Sequence, residues 1–225
     1  MRFTTILFDL DHTLLDSDAS EALAFEHTLR SIGVEEPAQH LPTYKQINSA
    51  LWKRVELGEL SPNDVKVIRF EQLLEALGID GDPDAMGATY VRGLGDYGEL
   101  YPDALGLLDA CADAQLGLVT NGIGAVQRRR LERLGLNRYF DGVAISGEIG
   151  VAKPDPAIFD HLGFGDLDPD TTVMIGDSLT SDIAAGHNAS FATLWFNPNN
   201  KPATEPPPTT QAQSLAELFD VMAAM

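Results

Sequence analysis

Short apolar runs rich in β-formers recur along this chain with helical patterns between them, and that alternation restricts the fold more than any other feature of the sequence. Phe3 to Leu10, Leu116 to Thr120, Gly142 to Ser146, Thr172 to Gly176 and Ala192 to Phe196 read as strands. The first is a nearly unbroken apolar run, as expected of a strand buried on both faces. Between the later runs, Val126, Leu131 and Leu134 lie near helical spacing and Gly135 supplies a stop. Pro156 opens a helical pattern through Ile158, Phe159 and Leu162, and Ser181 is placed to cap a helix running to Asn188. The expectation is a parallel sheet with helices on both faces.

Residues 17–95 break this rhythm, with helical patterns and no convincing strand. Ala22, Phe25, Leu29 and Ile32 form one stripe, ended by Gly33, and Tyr44, Ile47, Leu51 and Val55 form another. Ser61-Pro62-Asn63-Asp64 is an N-cap with proline at the first helical position, opening a helix to Leu77 and Gly78. Asp82-Pro83 opens a fourth, with Met86, Tyr90 and Leu94 on its face. An insert after the first strand stands above the carboxyl ends of the strands, where open α/β sheets bind ligands. Asn197 to Thr210, rich in proline, asparagine and threonine, reads as a loop, and Ser214 to Glu217 as a capping box for a last helix.

The chain's 225 residues suffice for a large core with a smaller insert, and 44% hydrophobic content is enough to pack one. No apolar run approaches the ~20 residues that span a bilayer. Ile6-Leu7-Phe8 is too short for a signal-peptide core, so a soluble cytoplasmic protein is expected, with no membrane partner. The single cysteine, Cys111, reads as buried packing and cannot form an internal disulfide. A formal net charge of −19 argues against a nucleic acid polymer as partner, since binding one requires a neutralising basic surface. Oligomeric state is not legible.

Four short signals fall at the carboxyl ends of four predicted strands. In Asp9-Leu10-Asp11-His12-Thr13, two carboxylates at a strand end point into one crevice once the chain bends, one to attack or hold a metal and one to handle a proton. The same residues also suit a plain turn. Thr120-Asn121-Gly122 offers a hydroxyl and backbone N–H groups to a phosphate, or is an Asn-Gly turn. Lys153, before Pro154-Asp155-Pro156, is either a fixed cation for a transferring phosphoryl group or a solvated surface lysine. In Gly176-Asp177 through Asp182, Asp177 suits a hard cation and Asp182 a supporting position one turn on, although Asp177 or Ser181 equally suits a helix cap.

Taken together and in order, these signals resemble the four motifs of the haloacid dehalogenase-like (HAD) superfamily. The resemblance implies an α/β fold, a Rossmann-like parallel sheet core (1–16 and 96–225) with an inserted helical cap of the C1 type (17–95). It implies an Mg²⁺-dependent phosphatase acting on a small-molecule phosphate ester through an aspartyl phosphate. Asp9 matches the nucleophile, and Asp11 the general acid/base whose carbonyl also meets Mg²⁺. Thr120, with Asn121 beside it, matches the phosphate-binding motif. Lys153 matches the lysine that steadies nucleophile and transition state, Asp177 the metal ligand, and Asp182 a less direct partner of metal or lysine. A finer likeness is to the bacterial pyrimidine 5′-nucleotidase branch. It rests on Ser146 to Gly150, Gly176 to Ile183 with Gly186 and Asn188, Trp195 to Pro198, Trp52 through Gly58, and Arg69-Phe70.

Tyr44 and Trp52 are the aromatic candidates for stacking on a base, although their spacing also fits packing within the insert. Arg128-Arg129-Arg130 with Arg133 reads as a solvated helix face. Phosphoglycolate or a sugar phosphate is the alternative substrate. A 2-haloacid dehalogenase would need neither Asp11 nor Asp177, a phosphomutase stays open, and a non-catalytic binding protein fits poorly with the Asp9 and Asp11 pair.

Overall fold

The computed structural model describes residues 2–225. Six parallel strands, β1 (Thr5–Phe8), β2 (Gln115–Thr120), β3 (Gly142–Ile145), β4 (Thr172–Gly176), β5 (Ala192–Phe196) and β6 (Thr210–Ala212), form one sheet in the order β3-β2-β1-β4-β5-β6. Side chains alternate across it as strand geometry requires. Ile6, Phe8, Leu116, Leu118, Val173 and Ile175 enter one apolar layer, and Leu7, Val119 and Met174 enter the other. Both faces are covered, which is why the strands read as continuous apolar runs.

Four helices intervene between β1 and β2: α1 (Ser17–Ser31), α2 (Leu41–Glu56), α3 (Pro62–Leu77) and α4 (Pro83–Asp96). The capping box at Ser61 forms, with Ser61 N–H donating to Asp64 at 2.8 Å, and Asp82 caps α4. The helices bury a cluster of their own around Phe25, Tyr44, Phe70 and Tyr90. That cluster includes Ile123 and Val126, which joins the insert to the sheet side of the molecule. The buried face of α1 is rotated from the expected stripe. Ala24 and Thr28 are buried with Phe25 and Leu29, while Ala22 and Ile32 lie at its margin. Its small residues let α4 come close: a Cβ on Gly93 would stand 2.9 Å from that of Ala24.

Shorter elements complete the chain: α5 (Ala104–Ala110), α6 (Gly124–Arg133), α7 (Ser146–Ile149), α8 (Ala184–Asn188) and α9 (Leu215–Ala224). Four local expectations are corrected. Thr210 begins β6 rather than ending a loop, pairing beside β5. The run from Pro156 is a 3-10 helix to Leu162. The turn before α8 begins at Leu179 and is capped by Ser178, whose hydroxyl accepts from Ser181 N–H. At α9 the Ser214 hydroxyl accepts from Glu217 N–H, but the Glu217 carboxylate accepts from Gln213 N–H, so the reciprocal bond misses Ser214. No helix of the described residues is long and apolar enough to cross a membrane.

Candidate active site

The strand order reverses between β1 and β4, which places a crevice at their carboxyl ends. Asp9 follows β1 and its N–H still donates to Ile175 O at 2.9 Å, so the ladder fixes its backbone. The chain then turns out of the sheet. His12 adopts φ 59, and its N–H donates to Leu15 O at 2.9 Å. This left-handed residue, rare outside glycine, redirects the chain just after Asp11.

Lys153 is the centre of the polar cluster. It is 1% exposed, and its Nζ lies 2.6 Å from Asp9 Oδ1, from Asp182 Oδ1 and from the Val119 carbonyl. The surface reading of Lys153 is thereby excluded. Burial disfavours its charge, but the Asp182 and Asp9 carboxylates outweigh this and hold the ammonium above its ordinary pKa. The other Asp182 oxygen accepts from Ser178 N–H at 2.9 Å, so both of its oxygens are engaged. Gly176 makes room for it: a Cβ there would stand 2.2 Å from the Asp182 carboxylate carbon.

Asp9, Asp177 and Asp182 each offer a carboxylate oxygen, all within 4.8 Å of one another. Burial pushes Asp9 up to about 7, with Lys153 opposing and the Asp182 and Asp11 charges adding. Asp177 is pushed well above its usual range by burial and then by Asp182 and Asp9. The hard oxygens that Asp9 and Asp177 bring together beside the Lys153-paired Asp182 suit a hard divalent cation such as Mg²⁺. The Trp195 indole N–H donates to the Asp177 carbonyl at 2.7 Å and fixes its backbone, a contact no sequence signal announced.

Asn121 does not present its carboxamide to the crevice as a phosphate ligand. Its Oδ1 accepts from Lys153 N–H and its Nδ2 donates to Lys153 O, both at 2.8 Å, so the side chain braces the lysine. Thr120 is fully buried, and its hydroxyl oxygen accepts from Gln127 Nε2 at 2.8 Å.

The largest departure from expectation is on α6. Arg128 pairs with Glu148 and Arg129 with Asp96 at the surface, as a solvated face should. Arg130 is 3% exposed and turns inward, its Nη1 2.6 Å from Asp11 Oδ1. Its other nitrogens donate to Leu94 O and Ser20 Oγ, on α4 and α1. Gln127 Nε2 and Ser17 Oγ also donate to Asp11, each at 2.5 Å. Burial raises the Asp11 pKa, but Arg130, then Ser17, His12 and Gln127, outweigh it and hold the carboxyl below its ordinary value. Gln127 and Arg130 stand at i and i+3, one face of a helix that starts just after Thr120-Asn121-Gly122, and that spacing was the only available clue.

Tyr44 is likewise corrected. It is fully buried, its hydroxyl bonded to Tyr90 and Arg69, and its ring packs among Phe25, Phe70 and Tyr90. Trp52 is half-buried and lines a cavity of about 400 Å³ between the insert and the strand ends, which Asp11, Asn121 and Arg130 also border.

The haloacid dehalogenase-like hydrolase family model matches residues 3–190. The pyrimidine 5′-nucleotidase PynA of Streptococcus pneumoniae is 37% identical over 227 residues, covering 99% of this chain and 96% of that protein. The pyrimidine 5′-nucleotidase YjjG of Escherichia coli is 34% identical over 226 residues, covering 99% of each. The magnesium-bound crystal structure of the HAD-hydrolase YfnB from Bacillus subtilis superposes with a TM-score of 0.89 at 32% identity, over 99% of both chains. A match that runs from β1 through α8, across every strand end that carries the acidic cluster, shows that the chain belongs to the haloacid dehalogenase-like hydrolase family.

Proposed function

We propose that this protein is an Mg²⁺-dependent phosphatase of nucleoside 5′-monophosphates, pyrimidines preferred, working through an aspartyl phosphate on Asp9. The observation that carries the chemistry is the buried Asp9–Lys153–Asp182 chain, with Asp177 beside it, at the switch point of the sheet. Such a site offers a nucleophile, a fixed cation and hard oxygen donors, which phosphoryl transfer requires. The substrate class is supported by two relatives of near-full-length coverage that are pyrimidine 5′-nucleotidases.

Asp9 attacks phosphorus, and the nucleoside leaves with a proton from Asp11. Asp11 then takes a proton from water as that water attacks the aspartyl phosphate, which releases phosphate and restores Asp9. Lys153 offsets charge on the phosphoryl oxygens, and Thr120 donates its O–H to one of them. Asp9, Asp177 and the Asp11 carbonyl would hold Mg²⁺, which lowers the repulsion between carboxylate and phosphate. Asp182 steadies the lysine and Ser178 rather than meeting the metal. Asp11 must be released from Arg130 to act as an acid, because a guanidinium-paired carboxylate holds its proton poorly. The helical insert, residues 17–95, acts as the cap. It supplies Ser17, which donates to Asp11, and Ser20 Oγ and Leu94 O, which hold Arg130, so its displacement would remove one donor from Asp11 and free the arginine to move off it.

A 2-haloacid dehalogenase is disfavoured because the acidic cluster with Asp11 has no role in halide displacement. The test is kcat/KM with Mg²⁺ or EDTA for uridine, deoxyuridine and thymidine monophosphates against phosphoglycolate and glucose phosphates. The nucleotides should lead by tenfold or more, and EDTA should abolish turnover. A tenfold preference for phosphoglycolate or a hexose phosphate overturns the substrate class, and full activity in EDTA overturns the metal.

A further inference from the structure

The donors that converge on the Asp11 carboxylate divide by the part of the molecule that holds them. Oδ1 accepts from Ser17 Oγ at 2.5 Å and from Arg130 Nη1 at 2.6 Å. Both depend on the cap, since Ser17 begins α1 and the Arg130 guanidinium is held by Leu94 O and Ser20 Oγ. Oδ2 accepts from Gln127 Nε2 at 2.5 Å. Gln127 belongs to the core. It is 1% exposed on α6, and the same Nε2 donates to Thr120 Oγ at the end of β2, 2.8 Å away. The Asp11 side chain stays 29% exposed and lines the 400 Å³ cavity, so the buried Gln127 backs it from the protein side and leaves the cavity side to a ligand.

The Gln127 amide fits only one way round. Its nitrogen stands between a carboxylate and a hydroxyl oxygen, while Oε1 accepts from Arg130 Nη1 at 3.1 Å. Turning it over would set its oxygen against the carboxylate and its N–H groups against a guanidinium. Gly122 leaves space for it, as a Cβ there would stand 2.5 Å from Nε2. An aspartate side chain samples several staggered rotamers unless it is held, and a misplaced catalytic group loses rate steeply.

We infer that Gln127 is a positioning residue for proton transfer: it holds Asp11 Oδ2 from the core, so that Oδ1, once Ser17 and Arg130 withdraw, is the oxygen that serves the leaving group. This rests on the phosphatase reading above and adds the residue that aims its acid. As the Asp9 carboxylate bonds to phosphorus, the bond from phosphorus to the ester oxygen breaks. Its electron pair stays on that oxygen, which takes the proton from Oδ1. Gln127 touches neither phosphorus nor the leaving oxygen.

The experiment reads kcat/KM with Mg²⁺ for p-nitrophenyl phosphate and for uridine monophosphate, or for whichever alkyl phosphate the wild type uses best. An alkoxide needs a proton to leave, whereas p-nitrophenolate does not. Gln127→Met and Gln127→Glu keep the length of the side chain and remove the donor. Each should lower the ratio of alkyl ester to p-nitrophenyl ester by about tenfold or more, part of the about 10²- to 10⁴-fold that a positioned acid supplies. The lost bond to Thr120 falls on both esters and cancels in the ratio. Asp11→Asn should lower the ratio further, and adding Gln127→Met to it should move the ratio by less than about twofold, because the residue it acts through is already gone. Where Gln127→Met fails to fold, Gln127→Glu, whose carboxylate keeps Arg130 as a neighbour, carries the test. A folded Gln127 variant with a ratio within about twofold of wild type, or a double variant in which the two losses multiply, overturns the inference and leaves the phosphatase reading intact. A wild type that hydrolyses neither ester overturns the phosphatase reading and this inference with it.

Discussion

Arg129 and Arg130 are adjacent in sequence and opposite in environment. Arg129 pairs with Asp96 in solvent, where the gain is small and screened by salt. Arg130 is buried against Asp11, Ser20 and Leu94, so its removal leaves several acceptors without their donor. Arg130→Ala should therefore lower unfolding stability by about 2–4 kcal/mol in urea melts. Arg129→Ala should leave the melt at the wild-type midpoint, and equal losses would refute the assignment of Arg130 to the interior network. Asp9 belongs to the same scale. An amide in its place keeps the shape but not the attacking charge, and Lys153 retains Asp182 as partner. Asp9→Asn should lose at least about 10³-fold in kcat with its circular dichroism melt preserved. Near-native turnover in folded protein would end the covalent mechanism.

At the level of elements, β4 ends in the residue that lets the acidic cluster close. Gly176 is needed for space, since its hydrogen faces the Asp182 carboxylate. Gly176→Ala should displace Asp182 from Lys153 and destabilise the protein by about 1–3 kcal/mol. It should also lower kcat, and an alanine variant with wild-type melt and rate would show that Asp182 has room to move. The strand was legible because Thr172 to Gly176 is apolar on both faces, so burial wrote itself into composition. So did the four helices of the insert, whose caps at Ser61 and Asp82 are local chemistry. β6 was not legible, because three residues beside a proline-rich segment carry no period, and only pairing with β5 makes them a strand. The inward contacts of Arg130, Gln127 and Trp195 escaped for a related reason. Their partners Asp11 and Asp177 lie in other parts of the chain, and nothing local distinguishes an arginine that turns inward from its two solvated neighbours.

The whole molecule carries a formal charge of −19, and its site concentrates the same sign in a small volume. Asp9 and Asp177 both have folded pKa values above their ordinary one, chiefly through burial. A carboxyl of this kind binds its proton more tightly when folded. Its contribution to stability is fully present below its unfolded value of 3.8 and is lost as pH rises through the folded value, about 7 for Asp9. Metal-free protein should therefore lose part of its stability between about pH 4 and pH 7. A divalent cation reverses this dependence, because it binds the deprotonated carboxylates and competes with their protons. At a Mg²⁺ concentration about 100 times the dissociation constant, the ligand adds about 2.7 kcal/mol. For a chain of this size that raises the melting temperature by about 5–10 °C. Thermal melts with Mg²⁺ or EDTA should show that rise at pH 8 and less than half of it at pH 5, where a proton occupies Asp9. Asp177→Asn, which removes a ligand while leaving the Lys153 pairs in place, should lose most of the Mg²⁺-dependent rise at pH 8. A rise that is the same at both pH values, or that survives in Asp177→Asn, would place the cation elsewhere on this acidic surface.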